Sequence, residues 1–157
     1  MDAVFVARNT AFAMTTGMKT VLLIAAGANQ PVSVVEWGIS FDGVTATAVP
    51  ATVELVQKDG TTAGTAGGSP PAIVQVGGRA ITVQPTASHN YTAEPTTYTT
   101  IEQLYVPQFM GAFVKQYPLG YENDSDLSGG TVRYLGIRAN VSANVNALAY
   151  IRFSIGG

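Results

Sequence analysis

Val32-Ser33-Val34-Val35-Glu36-Trp37-Gly38-Ile39-Ser40-Phe41, followed by Asp42-Gly43, carries the clearest strand pattern in the chain. Side chains along a strand alternate between two faces. Val35, Trp37, Ile39 and Phe41 therefore share one face, and Glu36, Gly38 and Ser40 share the other. The apolar face predicts a core strand anchored by Trp37. Asp42-Gly43 ends it with turn chemistry.

The same reading extends in both directions. Lys19 to Ala25 is a continuous apolar run, as in a strand buried on both faces. Thr52 to Lys58 points Val53 and Leu55 inward and Glu54 and Lys58 outward. Tyr98 to Val106 is a strand by its Thr, Tyr, Ile and Val content, and Pro107 stops it. Ala112 to Tyr117 is another, stopped by Pro118. Thr131 to Val141 sets Leu135, Ile137, Ala139 and Val141 against Tyr134, Arg138 and Asn140. Val145 to Ile155 alternates most cleanly, with Ile151 and Phe153 on its apolar face. Gly77-Gly78 between two apolar runs predicts a hairpin.

About eight strands with mixed connections predict an all-β sandwich of jelly-roll type. Its expected core comprises Val35, Trp37, Ile39, Phe41, Leu55, Leu135, Ile137, Ile151 and Phe153. The predicted domain covers residues 18–157. Residues 1–17 read as an extended N-terminal arm, because Arg8-Asn9-Thr10 interrupts its apolar residues. Val4, Phe5, Val6, Phe12 and Met14 are too apolar for a free tail and are the candidate interface residues. Fully extended, such an arm reaches roughly 55 Å, enough to cross onto a neighbouring subunit, and docking as an edge strand of its own sandwich is the alternative. Asp59 to Pro71, rich in Gly, Thr, Ser and Pro, reads as a flexible surface loop.

The 157 residues form one domain by length, with a sizeable core. Eight basic and ten acidic residues give a net charge of −2, and the basic ones are scattered. A nucleic-acid partner is not expected, since phosphate binding needs clustered Lys and Arg. The longest apolar run, Val21 to Ala26, is far too short to cross a membrane as a helix. No secretion signal is recognisable, so synthesis in a bacterial-type cytoplasm is expected. Only 11% of residues are charged, against about a quarter in a lone soluble domain. Surfaces covered by partners lose Lys, Glu and Asp, so a homo-oligomer is expected.

Candidate chemistry is sparse. The absence of cysteine removes disulfides, thiol catalysis and thiolate metal sites. His89, in the polar stretch Ala87 to Tyr91, reads as a surface or interface residue, for no nucleophile motif accompanies it. Asp124, Asp126 and Ser128 before Gly129 imitate the first half of a calcium loop, but Leu135 stands where the bidentate acid belongs. They are the only metal candidates, and weak ones. No catalytic residues, cofactor or metal are expected, and the chain is read as a binding or structural protein. A carbohydrate- or receptor-binding β-sandwich, such as an adhesion module, is the alternative to a structural role.

Four segments carry a resemblance: Glu36 to Gly43, Thr92 to Thr96, Gln116 to Gly120, and Val145 to Tyr150. Together they resemble small capsid decoration (cement) proteins of tailed bacteriophages, over roughly Val21 to Phe153. None of the four is a catalytic signature. The resemblance implies a β-rich virion protein on the outer capsid surface, often a homotrimer, that binds the major capsid protein and reinforces the shell. It does not cover the N-terminal arm or the Asp59 to Pro71 loop.

Overall fold

The computed structural model describes residues 3–44, 49–59, 64–118, 122–124 and 133–155. They form twelve strands and no helix. The strands are β1 (Ala3–Arg8), β2 (Phe12–Met14), β3 (Gly17–Ala25), β4 (Val32–Phe41), β5 (Ala51–Asp59), β6 (Ile73–Gly77), β7 (Thr86–His89), β8 (Tyr98–Val106), β9 (Ala112–Gln116), β10 (Asn123–Asp124), β11 (Arg133–Val141) and β12 (Val145–Ile155). One sheet runs β6-β1-β12-β4. Strands β9 and β10 share the outer edge of β4, and β2 continues beside β12. The other sheet runs β7-β3-β11-β5-β8. Both sheets are antiparallel and pack face to face as a β-sandwich.

Alternation builds the core. Ile151 and Phe153 of β12, Leu135 and Ile137 of β11, and Leu55 of β5 are all fully buried between the sheets. Trp37 is buried too. Its ring lies 5.3 Å from that of Phe113, and its Nε1 donates to the Tyr117 hydroxyl at 3.3 Å. A buried indole thus keeps a partner for its one N–H.

Val35 corrects the expected core, for it is only half-buried. Opposite β12, Arg152 pairs with Glu36 but Phe153 pairs with Val34, leaving Val35 as an extra residue. Such a bulge reverses the facing of everything beyond it. Val32 and Val34 therefore point inward before it, and Trp37, Ile39 and Phe41 after it. The carbonyl freed at Val35 accepts the Tyr117 amide at 3.0 Å.

The N-terminal segment is a second correction. Ala3–Arg8 is no separate arm but an interior strand between β12 and β6. Ala3, Phe5 and Ala7 face the core, and the Phe5 ring stacks on Phe153 at 5.9 Å. Met14 is buried as well. Neither Phe5 nor Met14 is open to a partner. Phe12 packs half-buried on the core edge, and Val4 and Val6 lie on the outer face of the sheet. The polar break that looked like the end of a strand is the passage from β1 to β2. Asn9 sits there buried, its amide bonded to Ala147 O at 3.1 Å and its carbonyl accepting Ala149 N at 2.8 Å.

The Gly77-Gly78 hairpin is a third correction. After β6 the chain leaves its sheet and joins the edge of the other one as β7, beside β3.

Candidate functional site

His89 is buried rather than exposed, which corrects its expected surface position. Its Nδ1 accepts the Thr10 amide at 3.3 Å, and Asn90 donates to Thr10 O at 3.2 Å. The pair ties the end of β7 to the passage between β1 and β2, a structural task. Asp124 forms part of β10 by backbone pairing to Ser33. Asp126 and Ser128 lie outside the described residues. Among the described residues, no three His, Cys, Asp or Glu side chains gather as metal ligands would.

The two outer sheet faces differ. On the β3-β11-β5-β8 side, Thr20, Arg138, Glu54 and Gln103 line up across four strands. Arg138 donates to Glu54 Oε1 from Nε at 2.6 Å and pairs with it again through its terminal nitrogen. Glu54 Oε2 accepts from Thr100 and Gln103, each at 3.2 Å. The Tyr98 ring lies 4.1 Å from the guanidinium. Tyr98 also shares a hydrogen bond with Thr20 at 2.6 Å, and Glu94 accepts the Thr20 hydroxyl at 2.8 Å. Burial pushes the Tyr98 hydroxyl well above its ordinary pKa, and so keeps it protonated. Glu54 and Lys58 point outward as expected, yet both are buried, Glu54 beneath this layer and Lys58 with its ammonium 4.8 Å from the centre of the Tyr134 ring. The face is closed by its own side chains.

Among the described residues, nothing covers the outer face of the β6-β1-β12-β4-β9 sheet. The register sets Val74, Val6, Arg152, Glu36 and Gln116 in one row across it. Arg8, Tyr150, Gly38 and Val114 form the next row. The Tyr150 ring lies flat over Gly38, where a Cβ would stand 2.7 Å from its Cε1. Its hydroxyl donates to Glu36 Oε1 at 2.5 Å, and Gln116 donates to Oε2. The Tyr150 bond, ahead of the Gln116 and Arg152 contributions, holds the Glu36 carboxyl below its ordinary pKa. Desolvation and Glu36 push Tyr150 up to about 12. On either side of Arg8 and Tyr150 lie two troughs of about 500 and 670 Å³. Ala112, Val114 and Leu148 wall the first, and Val6, Pro71 and Val74 the second.

A second open surface lies at one end of the sandwich, where three connections meet at Gln108. This side chain is buried. Its amide nitrogen donates to Val49 O and to Ser142 Oγ, both at 2.8 Å, and its carbonyl accepts Ala143 N at 3.2 Å. The turn between β8 and β9 is further fixed by the bridge from Gly43 to Phe109, where the Met110 amide donates to Gly43 O at 3.1 Å. The Gln108 carbonyl fills the space a side chain at Gly43 would need. This held frame displays Val44, Tyr105 and Met110, 82%, 75% and 74% exposed, together with Val49 and Phe109. Met110 sits at φ +48°, a left-handed conformation uncommon for such a residue. Residues 43–50 and 105–111 contain no charged side chain. Asp42, just outside, is occupied by Asn146, which donates its amide and its side chain at 2.6 Å each.

Neither surface follows from local sequence patterns. Pro107-Gln108-Phe109-Met110-Gly111 reads only as a strand stop, and Arg8 and Tyr150 stand 142 positions apart. The one usable signal was the outward placement of Tyr150 and Arg152 in the alternation of β12. No protein-family model matches the chain, and no curated protein or solved structure proved similar to it.

Proposed function

We propose that this protein is a non-enzymatic structural component of a virion, one that decorates and stabilises the outer capsid surface of a tailed bacteriophage by binding the major capsid protein. The observation that carries the reading is the apolar end of the sandwich. It exposes five large apolar residues with no charge among them, at the end of β8 and on described residues of the neighbouring connections, around a buried glutamine that bonds Val49, Ser142 and Ala143. Monomeric proteins seldom expose such a patch unless it serves contact. A surface already held in place loses little entropy on binding.

Other features support the same reading. The strand orders β1-β12-β4-β9 and β3-β11-β5-β8 support reading the sandwich as a jelly roll, an architecture used in viral capsid and lectin domains. The low charge content suits a surface covered by neighbours. A homotrimer is the assembly that the resemblance implies.

The test mixes the purified protein with empty shells of the capsid protein encoded in the same genome and sediments them through a gradient. The expected result is saturable co-sedimentation, lost in Phe109→Lys and Met110→Lys, with a trimer in analytical ultracentrifugation. Protein that stays at the top of the gradient at saturating concentration overturns the capsid reading. Retention on a glycan matrix instead would favour a receptor-binding module.

A further inference from the structure

The open face of the β6-β1-β12-β4-β9 sheet carries cations on apolar ground. The exposed Arg8 side chain has no hydrogen-bond or ionic partner among the described residues. Arg152 is 51% exposed and reaches Glu36 only at 4.0 Å. Arg8 pairs with Tyr150 across the β1–β12 ladder and Arg152 pairs with Val6, so the two arginines are diagonal neighbours on one face. Diagonal neighbours across a ladder are about 7–8 Å apart, within reach of long side chains. Two guanidinium groups so placed can close on the same carboxylate.

The Glu36 and Asn9 side chains nearby are engaged. Glu36 accepts from Tyr150 and Gln116. The Asn9 side chain bonds to Ala147, Ala149 and Asn90. What remains on offer is a pair of guanidinium donors between aliphatic walls. Sugar hydroxyls are held best where donors and acceptors alternate, and this groove is biased to donors. Its complement is a carboxylate flanked by aliphatic side chains.

We propose that this groove is a docking site for an acidic, aliphatic segment of a partner protein. A carboxylate sits between Arg8 and Arg152, and apolar side chains enter the troughs beside Val114 and Leu148 and beside Val6 and Val74. Arginine suits this role because its planar fork meets a carboxylate through paired hydrogen bonds. The site is separate from the apolar end of the sandwich and does not depend on the capsid reading.

The test measures fluorescence anisotropy of a labelled synthetic peptide alternating leucine and glutamate, titrated with the whole protein at low salt. The matched peptide carries glutamine in place of glutamate. Binding of the glutamate peptide is expected, with much weaker binding of the glutamine one. Arg8→Gln and Arg152→Gln should each weaken it about tenfold, as loss of a charge-assisted hydrogen bond does. Arg79→Gln, an exposed arginine away from the groove, should leave it unchanged. Thermal melting of each variant shows that the fold persists. Absence of binding overturns the proposal, as does equal affinity for the two peptides or a loss as large in Arg79→Gln. An Arg8-dependent preference for a carboxylated oligosaccharide over the peptide also overturns it, in favour of a glycan.

Discussion

Phe5→Ala discriminates between an N-terminal arm that reaches a partner and one that belongs to the sandwich. Phe5 is fully buried on β1, and its ring stacks on Phe153 with centroids 5.9 Å apart and planes 24° from parallel. Truncating a buried phenylalanine costs about 3–5 kcal/mol, from lost transfer energy and the cavity left behind. A domain of this size is stable by only about 5–15 kcal/mol, so the loss is a large share of the total. Each kcal/mol lowers Tm by about 2–4 °C in a chain of this length, which predicts a fall of about 6–20 °C. Val4→Ala removes a side chain from the outer face of the same strand and should cost far less. Circular dichroism melts of both variants against the parent provide the measurement. A Phe5→Ala melting point within a degree or two of the parent, with any defect confined to assembly, would refute the interior placement of β1.

Gln108→Ala leaves the Val49 carbonyl, the Ala143 amide and the Ser142 hydroxyl without their shared partner, and should cost about 1–3 kcal/mol in urea denaturation. Gly38→Ala brings a Cβ against the Tyr150 ring and the Phe113 carbonyl, and should destabilise by about 1–3 kcal/mol, with relief in Gly38→Ala/Tyr150→Ala. Glu36 has a lowered folded-state pKa, so its contribution is present above the unfolded pKa and is lost as pH falls through the folded one. Tyr150→Phe removes the main cause of that shift, so in melts across a pH series it should lower stability at neutral pH and shrink the loss on acidification. Tyr150 has a raised pKa, so the parent should lose stability from about 10 to about 12, the folded value, while Tyr150→Phe loses less there.

The strands and most of the core were legible because alternation is a local signal. β8 and β12 end where their patterns end, and every predicted core residue except Val35 is buried between the sheets. Val35 failed because a bulge is a property of the pairing with β12, and the sequence of β4 alone does not record it. The N-terminal strand failed for a related reason. Arg8-Asn9-Thr10 looked like the end of anything buried, yet Asn9 is satisfied by backbone groups of β12 about 140 positions away. His89 likewise looked exposed in its polar surroundings, and its bond to Thr10 is invisible until the sheets are paired. The contact surfaces were least legible. They depend on which outward residues the fold covers, and alternation distinguishes in from out but not covered from open.

That last distinction separates the two glutamates buried on the outer faces. Glu54 and Glu36 each stand on the second strand in from an edge, and each meets an arginine from the adjacent strand. Around Glu54 the arrangement is closed. Arg138 binds it through two nitrogens, Thr100 and Gln103 take the second oxygen, and the Tyr98 ring lies against the guanidinium. The Arg138 side chain keeps only 18% of its surface. Around Glu36 a neutral hydroxyl and a neutral amide make the close bonds, and Arg152 is left at 4.0 Å with 51% of its surface free. A cation fully matched by a buried carboxylate has little left for a ligand, because breaking the pair would strand a buried charge at a cost of several kcal/mol. Arg152 faces no such penalty, and Arg8 beside it has no described counter-charge to surrender. The same pair of residue types therefore serves cohesion on one face and leaves positive charge available on the other. A carboxylate-bearing partner would meet the least resistance on the face that carries Arg8 and Arg152.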